Sequence, residues 1–259
     1  MAFHSLRSLR YEYDLFVENE VERYKDRVPR NNLLSIGDEA VASLEASPQF
    51  ALTELLLVEE VDRLIRRRLR LPDYAAWKRR RLRALALYRT PQHWGLSPDA
   101  PLVRALPAAE NAHILVAGAH DESSALFLAA NGCHVTALEA DEEVVDRVMA
   151  AAHAAGLAER VNGIVSGLAD WSPISSITGV VFTAEALGTL CAADRTRVLE
   201  LLQGATRDGG VHLVQAIAVG STVQMLEELR ASYSGWEISV DKSSGASAFM
   251  ARKSAEQRA

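Results

Sequence analysis

Two hydrophobic periodicities divide this chain. Up to about residue 90, apolar positions recur at helical spacing, as in Phe16, Val17, Val21 and Tyr24. The pattern predicts a helix over about 5–27, interrupted at Pro29 and Asn31-Asn32. It predicts a short helix from Gly37 to Ala46. Ser47-Pro48 reads as an N-cap followed by proline at the first helical position. The helix it opens carries FALTELLLVEEVDRLIRRRLR and stops before Pro72, and a further helix starts near Asp73 and runs to Pro91. No strand pattern occurs in this region.

After Asn111 short apolar runs alternate with helical patterns. HILVAG, CHVTALEA, RVNGIVSG, GVVFTAEA and VHLVQAIAV read as strands. Between them ESSALFLAANG, EEVVDRVMAAAHAAG and ADRTRVLELLQGAT read as helices, the first two closed by glycine. The turn Asp208-Gly209-Gly210 caps the third, and TVQMLEELRASY forms a last helix. WEISVD and SAFMARK close the chain as an antiparallel pair. Strands separated by helices of this length predict an α/β fold, a mostly parallel sheet covered on both faces. Pro91, Pro98, Pro101 and Pro107 lie between the two regions and argue against regular structure there. The expected organisation is therefore an all-helical domain over 1–90, a proline-rich linker over 91–111 and a sheet domain over 112–259.

Composition adds bounds. The chain has 259 residues, 49% hydrophobic and 24% charged, enough to bury a large core without cross-links. Its two cysteines make no disulfide framework and fit a reducing compartment. The opening MAFHSLRSLRYEYDLF is too polar for a secretory signal, and no apolar run approaches the ~20 residues of a membrane span. A cytoplasmic protein with no membrane partner is expected. A net charge of −6 argues against general nucleic-acid binding.

In open parallel sheets, ligands bind beyond the carboxyl ends of the strands, where the winding reverses. The first strand ends at Ala117, so residues 118–122, Gly-Ala-His-Asp-Glu, face that crevice. The order of elements over about Asn111 to Lys253 resembles the class I S-adenosylmethionine-dependent methyltransferases, with a Rossmann-like sheet whose last strand is antiparallel. LFLAANGCHVTALEAD and RDGGVHLVQAI are similar to stretches of the tellurite-resistance type of small methyltransferase.

The resemblance implies S-adenosylmethionine as cofactor, held by Gly118, Ala119, His120, Glu139, Ala140, Leu168 and Thr183. Glu139, at the end of the second strand, would accept hydrogen bonds from both ribose hydroxyls. Leu168 and Ala169 would flank the adenine. The chain departs from the family's pattern at three places. Val116 stands where the family has an acid on the first strand. His120 and Glu122 stand where it has glycines, which permit positive φ and close backbone approach. The place of the family's adenine-binding acid is Gly167, with Asp170 three residues on.

Other residues have both a structural and a chemical reading. Glu185 would position or deprotonate an acceptor, or simply start a helix. His120 would pair with an acid, or be a plain loop residue. Asp121 fits an N-cap. Cys133 and Cys191 read as small core residues. The histidines show no metal-ligand spacing. Trp94 would cover the crevice or pin the domains together. Arg66, Arg67, Arg68 and Arg70, then Lys78, Arg79, Arg80, Arg81 and Arg83, form either a solvated face paired with Glu54, Glu59, Glu60 and Asp62, or a phosphate-gripping surface. Three functions remain open. They are methyl transfer to a small or macromolecular acceptor, a binding or scaffold role on an inactive methyltransferase-like sheet, and RNA binding or modification through the arginine helices. Self-association through the N-terminal helices is also open.

Overall fold

The computed structural model describes residues 8–45, 54–106, 111–118, 122–218, 222–242 and 246–254. The chain divides into two compact units, Met1–Ala84 and Leu85–Ala259.

All described elements of the first unit are helices: α1 (Leu9–Arg27), α2 (Arg30–Glu45), α3 (Glu54–Arg68) and most of α4 (Tyr74–Tyr88), whose last four residues belong to the second unit. Ser8 caps α1 by accepting from the Tyr11 amide at 3.2 Å, and Asp73 caps α4 by accepting from the Ala76 amide at 2.7 Å. Val17 and Val21 of α1, Ile36 and Ala40 of α2, and Leu64 and Ile65 of α3 form one buried cluster. The start of α2 corrects the expectation of Gly37. Pro29 does interrupt the first helical stretch, since α1 stops at Arg27, and it also opens α2, its carbonyl accepting from the Asn32 and Leu33 amides. First-turn amides need no intrahelical acceptor, so Asn31 and Asn32 are tolerated there. The Ser47-Pro48 cap lies outside the described residues.

The second unit also corrects the irregular reading of its proline-rich start. A 3₁₀ turn covers Pro91–Trp94 and α5 covers Pro101–Ala105. Each begins at proline, whose missing donor is not needed in a first turn. Then follow β1 (His113–Ala117), α6 (Ser123–Ala130), β2 (His134–Glu139), α7 (Glu142–Ala155), β3 (Val161–Val165) and β4 (Ile177–Thr183). The remainder is α8 (Ala184–Gly188), α9 (Ala192–Ala205), β5 (Thr206–Ala218), α10 (Thr222–Ser232), β6 (Glu237–Lys242) and β7 (Ala246–Arg252).

The strands form one sheet in the order β3-β2-β1-β4-β5-β7-β6. β7 runs antiparallel to both neighbours, and the other pairs are parallel. One face packs Ile114, Val116, Leu213 and Ala248 against α5, α6 and α7. The other packs Leu115, Val180, Phe182 and Phe249 against α9 and α10. Residues 166–176 join β3 to β4 without a helix. The expected turn at Asp208-Gly209-Gly210 is a bulge within β5. Ile177 of β4 pairs with Thr206, but Gly179 already pairs with Val211. Gly209 takes φ 73° there, and its amide and the Gly210 carbonyl bond to Lys253. No described helix is long and apolar enough to cross a membrane.

Candidate functional site

Strand order reverses between β1 and β4, which places the crevice at their carboxyl ends. The register sets a row along that edge. Ala117 pairs with Leu138 and with Phe182, so the next residues, Gly118, Glu139 and Thr183, stand level. Glu139 pairs with Val165, and Thr183 with Gln215. Sequence reasoning missed Gln215 and Ser166. Gln215 was legible as a polar residue in the apolar run VHLVQAIAV.

Gly118 has φ 78°, and its amide donates to the Leu138 carbonyl at 3.1 Å. A Cβ there would collide with Thr183 Oγ1 and Ala186 Cβ. The glycine therefore lets the backbone at the end of β1 approach the start of α8 closely. Thr183 holds that contact as the N-cap of α8, its Oγ1 accepting from the Ala186 amide at 3.2 Å. Ala119, His120 and Asp121 lie outside the described residues, so the expectations for them do not enter the site's geometry. Glu122 occupies the N-cap of α6 without a side-chain capping bond, and its carboxylate is 3.7 Å from the Arg147 Nε.

Glu139 is half-buried at the end of β2. Its Oε1 accepts from the Ala140 amide at 2.9 Å, and its carbonyl accepts from the Ser166 amide at 2.9 Å, which ties the ends of β2 and β3 together. Ala140 is exposed. Leu168 and Ala169 are half-buried and pack on the core of the α9–α10 face. The Asp170 amide closes a turn onto the Gly167 carbonyl at 3.1 Å, while Arg197 holds the Ala169 carbonyl at 3.0 Å. Glu185 is exposed in the first turn of α8. Val116 is 3% exposed in the apolar core, so the resemblance's acid position is here a packing residue.

One further expectation changes. Cys191 is exposed, because it caps α9: its Sγ accepts from the Asp194 amide at 3.4 Å and donates to Asp194 Oδ2 at 3.0 Å. That thiol bond, with Arg197 beside it, holds the Asp194 carboxyl below its ordinary range. Cys133 is buried as expected. Trp94 packs on the α5–α7 core of its own unit and donates its Nε1–H to the Tyr88 carbonyl at 2.6 Å.

A second polar group lies away from the edge, inside the α9–α10 face. His212 of β5 is completely buried between Thr206 and Tyr233. Thr206 Oγ1 donates to the Leu202 carbonyl at 2.6 Å, so it accepts from His212 Nε2–H at 2.7 Å. The Tyr233 hydroxyl then donates to Nδ1 at 2.6 Å. Burial first, and the Lys253 charge second, push the imidazole down to about 3, and burial raises the Tyr233 phenol. The chain of bonds is fully satisfied with a neutral ring.

The strand order and the single antiparallel strand define the Rossmann-like class I methyltransferase fold. TehB from Haemophilus influenzae superposes on the chain with a TM-score of 0.50 at 16% identity, over 59% of this chain and 61% of that one. The chain therefore spans under two thirds of that protein's length. An rRNA methylase from Streptococcus thermophilus matches at TM-score 0.49 and 15% identity, over 58% of this chain and 92% of its own. A SAM-dependent O-methyltransferase from Thermotoga maritima matches at 0.48 and 16%, over 60% and 64%. No protein-family model matches the chain, and no curated protein matches it in sequence.

Proposed function

We propose that the second unit binds S-adenosylmethionine at the carboxyl edge and transfers its methyl group to a nucleophile. The carrying observation is the row Gly118, Glu139 and Thr183 at the switch point, with a carboxylate at the end of β2. The donor set fits the group. Glu139 would accept from vicinal hydroxyls, and Leu168 and Ala169 offer apolar surface to a flat ring. Gly118 offers backbone, not a side chain, at the strand end. The bound cofactor would supply an electrophilic methyl on a sulfonium. The protein's tasks are then alignment and exclusion of water, and no general base is obligatory. Glu185 at the start of α8 is the acid placed to orient an acceptor, and it also complements the helix's positive end.

A second reading, a binding or scaffold module without turnover, draws on two observations. Val116 is buried apolar core, and Gly118 is explained by packing against Thr183 and Ala186 alone. Calorimetric titration with S-adenosylmethionine and S-adenosylhomocysteine separates the two. Micromolar binding that Glu139→Ala weakens supports the cofactor site. A well-folded sample that binds neither ligand at millimolar concentration would remove the methyl-transfer reading.

A further inference from the structure

We propose that the helical unit binds the phosphate backbone of duplex RNA through Arg66, Arg67, Arg70, Arg79, Arg80 and Arg83, which flank the bend between α3 and α4. This is independent of the methyl-transfer reading. The basic residues of this region fall into two groups. Arg63, Arg68 and Arg81 are paired with Glu60, Glu39 and Glu12, and Lys25 takes up Asp62 at 2.8 Å. The acids expected to neutralise the arginine run are thus partly engaged elsewhere. The six named arginines are exposed, and none has an ion pair among the described residues.

Arg70 supplies an independent observation. It sits at φ 51°, in the left-handed region. The Leu71 amide bonds to the Arg66 carbonyl and the Arg70 amide to the Arg67 carbonyl, each at 3.1 Å. This is the paired closure of a helix end whose left-handed residue is ordinarily glycine. Arginine is strained there, gains no ion pair among the described residues, and adds one more charge to the cluster.

The chemistry favours phosphate. Guanidinium groups grip phosphate oxygens with two donors at once. Tyr74 and Trp77, the nearby aromatics, are packed on Tyr13 at 5.4 and 5.5 Å and leave no stacking platform for unpaired bases. Neither basic segment, IRRRLRLP or WKRRRLRALALY, carries an asparagine or glutamine to read adenine, and the guanine edges that arginine reads lie in a major groove that duplex RNA closes to side chains. Recognition by backbone shape is the mode that duplex RNA presents. A lipid surface fits poorly. Arg79, Arg83 and exposed Leu87 share one stripe of α4, whereas an interfacial helix separates charge from apolar surface.

The test is fluorescence anisotropy of the full chain with a labelled duplex RNA of about 16 base pairs, without cofactor. With four or more phosphate contacts, affinity should fall about a hundredfold between about 50 and about 200 mM salt. The R79E/R80E/R83E variant should lose at least about tenfold in affinity with unchanged thermal unfolding. R70G should unfold about 2 °C higher yet bind more weakly, a pairing that a purely structural arginine would not show. No binding at low salt, affinity unchanged in both variants, tighter binding to duplex DNA, or capture only by anionic vesicles would each overturn the proposal.

Discussion

The second unit handles polar residues in two opposite ways. At the carboxyl edge, Glu139, Thr183 and Gln215 are half-buried and stand in a row at the strand ends. Three positions along β5 from Gln215, His212 is sealed from water, and Thr206 and Tyr233 satisfy both its nitrogens. In the first group, Glu139 and Thr183 spend hydrogen bonds on the Ala140 and Ala186 amides, and the row borders solvent. The second joins α9, β5 and the end of α10 into one closed chain of donors and acceptors. A buried polar group with complete partners specifies packing. A polar group at an open switch point is placed for a ligand. The two should therefore respond to different perturbations.

Acid should separate them most strongly. The His212 ring is held at about 3 in the fold, against an ordinary value of 6.5. The unfolded chain then binds the extra proton first, so stability is full above about 6.5 and is lost as pH falls toward 3. The slope should approach about 1.4 kcal/mol per pH unit within that window. Urea unfolding between neutral and mildly acidic pH reads this. His212→Leu should flatten the slope, and an unchanged slope would show that the ring does not remain neutral in the fold.

Gly118→Ala comes next. It forces a side chain into Thr183 and Ala186 at a positive φ, and should cost about 2–4 kcal/mol in chemical denaturation. A neutral result would mean that Gly118 does not approach Thr183 and Ala186 so closely. Tyr233→Phe leaves His212 Nδ1 buried without a donor and should cost about 1–3 kcal/mol. Its effect should be absent from cofactor titrations. Glu139→Ala should reverse that pattern, changing stability by less than about 1 kcal/mol while weakening cofactor binding about tenfold or more. Loss of stability without loss of affinity would make Glu139 a strand-end staple.

The order and type of most elements were legible. Alternating short apolar runs and helical stretches specify a wound parallel sheet because a two-sided sheet has little other way to bury itself. Errors fell where a residue's role depends on its place in an element. Asn31 and Asn32 looked like part of a break and lie in the first turn of α2, and Pro91 and Pro101 looked like irregular linker and open short helices. Cys191 looked like core and caps α9. The resemblance placed Gly118, Glu139 and Thr183 at or just past strand ends, and the register puts them there. Ser166 was not readable, because only its bond to the end of β2 brings it level, and Gln215 showed only as a polar residue in an apolar run, without its place beside Thr183.

The sequence alone determined the periodicities, hence the helical first unit, the sheet and the strand ends at which polar residues stand. Those are local properties of spacing and side-chain type. Only the tertiary structure decided that Gly118 answers to Thr183 and Ala186. The same holds for His212, neutral between Thr206 and Tyr233, and for Arg68 and Arg81, paired while their neighbours stay exposed. Each of these depends on atoms far apart in the chain. Partners, burial and protonation follow from which surfaces meet, and a linear pattern does not contain that information.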